Sequence, residues 1–438
     1  MASSFPFHVT EHTVPSQHIR EFPRATSRSQ EDVLYLSVKQ YTPIDNPSPQ
    51  PGDVTIIGAH ANGFPKELYE PLWADLHAAS KAHGFRIRGI WIADVSNQGY
   101  SGVLNEDAQG DDPSWNDHAR DLLHLTNVFR DSMRRPLVAV GHSFGAAILT
   151  KLSLLHPRLF TTLVLLDPTI TTFSQRPRGL NPGKSAARAS AFRRETWPTR
   201  DAAIASFRKN PFYRTWDPRV LDAWIQHSLR DTPTPLYPNP ATDGAATLRT
   251  SKHQEVFTFF RPLWPYLDPS TGALDRDGAP DFDVETSDVP LDSGAVFPFY
   301  RSEGAAVLKH LAEVRPSVLW VFGGDSELGE ASGRKLKTEL CGTGAGGSGG
   351  MKAGRVDQIV VEGRGHLFPM ELPGQCAHYA AEWIGKEMKR WRAKEREYEE
   401  WTKLSTKEKT TLSEKYLDNV GRPPPRKAKS LASSESKL

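Results

Sequence analysis

The chain has 438 residues, enough for one large domain with an insertion, and carries 54 Lys and Arg against 52 Asp and Glu, a formal charge of +2. So even a balance argues against nucleic acid or an anionic membrane as partner, and any basic binding surface has to be local. Two cysteines, Cys341 and Cys376, are too few for a disulfide framework or a metal-ligand cluster, so both are expected as free thiols, with neither metal nor cofactor implied.

The opening MASSFPFHVTEHTVPSQH lacks a basic stretch followed by an apolar run, and no segment approaches the length of a membrane span, so a soluble, non-secreted protein is expected. From residue 33 to 172, β-rich runs alternate with helical ones. DVLYLSVKQYT, DVTIIGAHA, FRIRGIWIAD, PLVAVGHS and TTLVLLDPT read as strands, while ELYEPLWADLHAASKAHG and WNDHARDLLHLTNVFRDSM repeat apolar residues at helical spacing. This alternation predicts an α/β fold, a mostly parallel sheet with helices on both faces. Residues 173–312 break the rhythm with prolines and aromatics, and are too long for a plain loop, so an inserted, mostly helical cap is expected there.

The alternation resumes at PSVLWVFGGD and RVDQIVVEGRGH and closes with a helix at QCAHYAAEWIGKEMKRW. Between them, CGTGAGGSGGMKAG lacks the Lys-Ser/Thr ending of a phosphate loop and reads as a flexible surface connection. The expected organisation is a first core part over 1–172, the cap over 173–312, a second core part over 313–390, and a charged helical extension with a disordered tail over 391–438. The final residues, Ser436, Lys437 and Leu438, spell a peroxisomal address, which makes a peroxisomal import receptor an expected partner and the peroxisomal matrix the expected location.

Gly141-His142-Ser143-Phe144-Gly145 follows a strand and opens a helix, the setting of a G-x-S-x-G nucleophile elbow. A serine hydroxyl is a poor nucleophile unless an imidazole takes its proton and a carboxylate orients that imidazole. Of 15 histidines, His366 is favoured because it lies just after a late strand, in a glycine-containing turn on the same sheet edge; His60, His118, His124 and His142 are assigned to packing or local hydrogen bonding. Two acids fall at strand ends between serine and histidine. Asp167, between an apolar strand and a proline, is preferred, with Asp325 as the alternative because the later strand is the commoner source in this chain order. The oxyanion needs two N–H donors: Phe144, next after the serine, and Asn62 in the early loop GAHANGFPKE, with Ala61 in reserve.

Taken together, these residues and the stretch DVSNQGYSG resemble the α/β-hydrolase superfamily over roughly residues 33–390. HANGFPKELYEPLW, WNDHARDLL, GHSFGAA, HPRLFTTLVLLDP, GGSGG and the Ser-Lys-Leu end resemble more narrowly the fungal peroxisomal α/β-hydrolases of toxin and secondary-metabolite biosynthesis, acyl-CoA hydrolases among them, and more distantly yeast peroxisomal lipase. In the acyl-CoA hydrolases of that group the acid comes from the strand after the nucleophile, which the resemblance carries onto Ser143, Asp167 and His366. It implies acyl transfer to water, with a CoA thioester as the leading substrate class. Arg176, Arg178, Lys184 and Arg188, in the acid-free run RPRGLNPGKSAARASAFRR with Arg193 and Arg194, are candidates to hold CoA phosphates, or equally a solvated helix face. The aromatic FTFFRPLWPYL reads as cap core rather than acyl pocket.

The alternatives to a thioesterase are a carboxylester or triacylglycerol lipase using the same residues, an acyltransferase, and a non-catalytic peroxisomal binding protein, against which the Ser, His and Asp set argues. Epoxide hydrolase and dehalogenase chemistry is disfavoured because those relatives carry Asp where Ser143 stands. A homodimer is compatible with the sequence, which specifies no oligomeric state.

Overall fold

The run Leu137–His142 is buried along its whole length, as a strand covered on both faces by helices must be. It lies at the middle of an eight-stranded sheet in the computed structural model, which describes residues 5–171, 186–275, 277–279, 299–328 and 330–423. The strands are β1 (Phe7–Pro15), β2 (Tyr35–Pro43), β3 (Val54–Ala59), β4 (Ile87–Ala93), β5 (Leu137–His142), β6 (Thr162–Leu166), β7 (Ser317–Gly323) and β8 (Val356–Val361). Their order is β1-β2-β4-β3-β5-β6-β7-β8. The pairs β1–β2 and β2–β4 are antiparallel and the other five are parallel.

Strand β1 is the one addition to the expected sheet. Most of its residues face solvent, so its sequence carries too little alternation to announce an edge strand, and it is defined instead by pairing with β2 from Phe7↔Pro43 to Pro15↔Tyr35. Helices follow as read: α1 (Glu70–Ser80), α2 (Trp115–Val128) and α3 (Phe144–Leu155). One face of the sheet packs Ile57, Trp91, Ala139, Leu165 and Trp320 against Trp115, Leu122, Ile148 and Leu152 of α2 and α3. On the other face Gly58 leaves room for Trp73 of α1, whose ring would stand 2.8 Å from a Cβ at that position.

The described residues between β6 and β7 include the helices α4 (Ala186–Phe192), α5 (Arg200–Lys209), α6 (Pro218–His227) and α7 (Lys252–Phe259). They also hold a small antiparallel sheet of Thr196–Trp197, Ala246–Leu248 and Leu229–Asp231, which the proline- and aromatic-rich sequence does not signal. Helix α8 (Ala331–Leu340) leads into the glycine-rich segment expected to be flexible. That expectation is corrected: Gly342, Gly344 and Ser348 donate N–H groups to Leu311, Ala312 and Val314, and a Cβ on Gly347 would stand 2.5 Å from the Ala312 carbonyl. Gly347 there serves close backbone approach.

By compactness the chain divides into residues 1–388 and 389–438. Helix α9 (Pro373–Thr402) starts in the first unit, where Trp383 Nε1 donates to Thr162 Oγ1 at 2.7 Å. The second unit is helical among its described residues, with a capping box of Ser405 and Glu408 opening Thr406–Thr410 and a stacked Tyr398–Trp401 pair. No described helix is long and apolar enough to cross a membrane.

Candidate active site

Parallel strands β3 and β5 are neighbours, yet the sheet grows from β3 toward β4 and from β5 toward β6. Connections leaving in opposite directions open a crevice at their carboxyl ends, where ligands of such sheets bind. Ser143 stands directly after β5 and Asn62 shortly after β3, one on each side of that crevice.

The turn at Ser143 is tight, with φ 55° and ψ −117°, a conformation that strains any residue with a Cβ. It is fixed from three directions. Ser143 N–H donates to Leu166 O at 2.8 Å, Thr169 N–H donates to Ser143 O at 3.2 Å, and the Phe144 ring packs edge-on against Trp115 at 5.0 Å. The flanking glycines are required by space: a Cβ on Gly141 would stand 2.8 Å from the backbone of Ala146, and one on Gly145 would stand 2.3 Å from the Ala59 carbonyl oxygen. Gly145 therefore lets the first turn of α3 close against the end of β3.

His366, after β8, spans the serine and an acid. Its Nε2 is 2.8 Å from Ser143 Oγ and its Nδ1 is 2.6 Å from Asp167 Oδ2. A carboxylate accepts only, so Nδ1 carries the proton and Nε2 offers its lone pair to the hydroxyl. Ser143 is 5% exposed, whereas the His366 side chain is 32% exposed, leaving the imidazole approachable.

Asp167 follows β6 with φ 42°, its N–H bonded to Val321 O at 2.7 Å. Its carboxylate also accepts from Gly323 N–H at 3.2 Å and from the Ser326 hydroxyl. Burial pushes this carboxyl up, but the hydrogen bond and charge of His366, then Ser326 and Gly323, outweigh it and hold the group below the ordinary aspartate value. Asp325, the alternative, is exposed on the same turn and its N–H donates to Arg364 O. Ser326, overlooked between two acidic neighbours in the sequence, is the residue of that turn that reaches the buried carboxylate.

The loop after β3 is held by buried side chains. Ala61 N–H donates to Tyr69 Oη at 2.8 Å, and Gly63 N–H donates to Gln98 Oε1 at 2.7 Å. Between them, Asn62 N–H has no hydrogen-bond partner among the described residues, and neither has Phe144 N–H at the start of α3. The Asn62 side chain is engaged elsewhere, receiving Gln98 Nε2 at 2.7 Å and donating to Glu255 O at 3.0 Å. His142 closes the arrangement. Its Nε2 lies 3.1 Å from His366 O and its Nδ1 lies 3.0 Å from Tyr69 Oη, so one run of bonds links the His366 loop to Ala61. Burial, then the neighbouring His366, push the His142 pKa down to about 3, which keeps it neutral in this run. Nothing in the sequence marks Tyr69 or Gln98 for these contacts.

Of the basic residues named for CoA, Arg176, Arg178 and Lys184 lie outside the described residues; so do Ser436, Lys437 and Leu438. Arg188 is exposed, its guanidinium 5.7 Å from the Phe192 ring. Arg193 departs from the expected solvent-facing run: its Nη2 lies 2.6 Å from Glu255 Oε2, inside the region that covers Gly63. No group of His, Cys, Asp and Glu that could hold a metal ion occurs among the described residues.

A family model for the alpha/beta hydrolase family matches residues 56–378. A type I acyl-CoA thioesterase, mpaH', of Penicillium brevicompactum is 43% identical over 416 residues, covering 91% of this chain and 92% of its own. An abhydrolase domain-containing protein of Alternaria alternata, AFT2-1, is 30% identical over 255 residues, covering 58% of this chain and 85% of its own. Among solved structures, the peroxisomal alpha-beta-hydrolase Lpx1 of Saccharomyces cerevisiae is similar in fold, with a TM-score of 0.64 at 16% identity, covering 93% of this chain and 99% of its own.

Proposed function

The chain belongs to the alpha/beta hydrolase family, and from that premise we propose that it is a serine hydrolase of acyl-CoA thioesters, resident in the peroxisome and serving secondary-metabolite biosynthesis. The observation that carries the chemistry is His366 bridging Ser143 Oγ at 2.8 Å and Asp167 at 2.6 Å. The thioester preference is supported by the 43% identity to a type I acyl-CoA thioesterase over nine-tenths of both chains. Location rests on the Ser436-Lys437-Leu438 tripeptide.

In this reading Ser143 Oγ attacks the thioester carbonyl while His366 Nε2 takes its proton, and Asp167 stabilises the imidazolium. The oxyanion receives the N–H groups of Phe144 and Asn62, the first of them at the positive end of α3. His366 returns the proton to the departing thiolate, releasing CoA-SH and leaving an acyl-serine. Water then gives a proton to His366 as it attacks the acyl-serine, and the carboxylic acid leaves with Ser143 restored. Arg188, with Arg176, Arg178 and Lys184, is proposed to meet the CoA phosphates.

The test is thiol and acid release by wild type and Ser143→Ala over a panel of acyl-CoAs and simple esters. Ser143-dependent release of CoA thiol supports the reading. Turnover of esters alone supports a lipase instead, and product formed only with an added amine or alcohol supports an acyltransferase. A fluorescent fusion that leaves peroxisomes when the tripeptide is removed tests the location.

A further inference from the structure

The Gln98 side chain is fully buried, and each of its polar atoms is used. Its Oε1 accepts from Gly63 N–H at 2.7 Å; its Nε2 donates to Asn62 Oδ1 at 2.7 Å and to Thr258 Oγ1 at 3.1 Å. The partners fix the orientation of the amide, because a backbone N–H can only donate and the Asn62 amide already donates to Glu255 O. One side chain thus joins the loop after β3 to helix α7 of the insertion, two segments nearly 200 residues apart in sequence.

Gln98 is itself held in place from both sides. Asp94 accepts from Lys66 N–H at 3.1 Å, from Lys66 Nζ at 2.7 Å and from Tyr100 N–H at 2.8 Å, tying the loop after β3 to the one after β4. Gly99, with φ 56°, lies so close to Asp94 that a Cβ would stand 2.3 Å from its carboxyl carbon, and its N–H donates to Thr250 Oγ1 at 2.8 Å. On the α7 side, Thr258 Oγ1 also accepts from Asn97 Nδ2 at 3.2 Å, and Trp115 Nε1 donates to Thr258 O at 2.8 Å. Gly63, with φ 78°, has the Glu255 carboxyl of α7 where its side chain would be, 2.5 Å from an ideal Cβ. The loop therefore has α7 as its roof and Gln98 as its strut.

Resting on the serine-hydrolase reading above, we propose that Gln98 is a positioning residue that couples the seating of α7 to the placement of the Asn62 N–H. By taking up Gly63 N–H and the Asn62 side chain, it leaves the Asn62 N–H as the donor of this loop without a partner among the described residues. When Thr258 shifts, the strut shifts with it, so the second oxyanion donor is in register only with α7 seated. The oxyanion exists in the transition state and not in the bound ester, so the effect of Gln98 falls on kcat rather than on KM.

The experiment compares wild type, Gln98→Met, Thr258→Val and the double variant as full-length proteins. Readouts are kcat and KM for the best acyl-CoA, the Ki of a trifluoromethyl ketone that adds to the serine as an oxyanion, and Tm. Gln98→Met is expected to lower kcat about 10- to 100-fold and Thr258→Val about 3- to 10-fold, with KM within about threefold and Ki rising as kcat falls. The double variant should match Gln98→Met alone, because Thr258 acts through Gln98. A folded Gln98→Met with kcat within about threefold of wild type, a loss confined to KM, or effects that multiply in the double variant would each overturn the proposal. If Gln98→Met does not fold, Thr258→Val decides by the same split. If wild type hydrolyses nothing, or Ser143→Ala retains activity, the serine-hydrolase reading itself has failed and the proposal falls with it.

Discussion

Asp167 and Asp325 show how little separates a buried, hydrogen-bonded carboxylate from a surface one in sequence, and how much in space. Both end strands of the same sheet. Asp167 has turned inward at φ 42° onto His366, Ser326 and Gly323, while Asp325 remains in solvent. Asp167→Asn should therefore cost about 10^4-fold in kcat by presenting the wrong tautomer of His366. Asp325→Asn should leave kcat within about twofold, as surface changes away from a site do. Steady-state thiol release measures both, and equal losses in the two variants would contradict the assignment. Ser326→Ala removes one donor from the buried carboxylate without removing the carboxylate, so a loss of about 10-fold in kcat is expected, well short of that for Asp167→Asn.

Helix α3 and strand β3 meet where Gly145 faces the carbonyls of Ala59 and His60, at 2.3 and 2.6 Å from an ideal Cβ. Backbone cannot swing aside as a flexible side chain can, so Gly145→Ala must push the helix start away from the loop that carries Asn62. The expected result is a fall in kcat of about 100-fold or more, with destabilisation of about 1–3 kcal/mol. Gly333, inside α8, supplies the contrast, since a Cβ there meets nothing within 4 Å. Gly333→Ala should stabilise by about 0.5–1 kcal/mol, read as a higher urea midpoint at unchanged slope, and leave activity untouched. If Gly145→Ala were as well tolerated as Gly333→Ala, close contact between α3 and the β3 loop would not be a requirement of the site.

For the molecule as a whole, buried neutral histidines make one contribution of definite sign to its pH response. His60, His118, His142 and His227 are all pushed down, chiefly by burial, the last three to about 3, 3 and 4. Each folded pKa lies below the unfolded value of about 6.5, so the unfolded chain binds protons first as the pH drops. Their contribution to stability is complete above about pH 6.5 and is lost as the pH falls toward the folded values. Asp117, pushed up to about 6 mainly by burial, works in the opposite sense, costing stability above that value and returning it on the way down. His118 isolates the histidine effect, because neither ring nitrogen has a hydrogen-bond partner among the described residues. In His118→Leu the drop in Tm between about pH 7.5 and about pH 5 should be smaller than in wild type. A drop of equal size would show that His118 does not titrate on unfolding.

At the same scale, sequence and structure agree where periodicity is strong and buried. Seven of the eight sheet strands coincide with runs legible as strands, five of them largely apolar and bounded by turn residues, with β2 and β8 more mixed in polarity. Ser143 and His366 were legible because strand-end glycines announce backbone constraints. The exposed strand β1 left no alternation to read, and the short strands of the insertion are two or three residues long. Tyr69, Gln98 and Ser326 were illegible for another reason: each matters through a partner distant in the chain, and a buried amide or hydroxyl has no local pattern.

The lock between α7 and the core bears on how such enzymes can be recombined. Asn62, Asn97, Gln98, Gly99 and Trp115 on one side meet Thr250, Gln254, Glu255 and Thr258 on the other, so the segment between β6 and β7 is not a cassette with neutral ends. A chimera that took residues 186–310 from one relative and the remainder from another would inherit two halves of a keyed joint cut by different hands. Grafts that carry both sets of residues together keep the key with its lock.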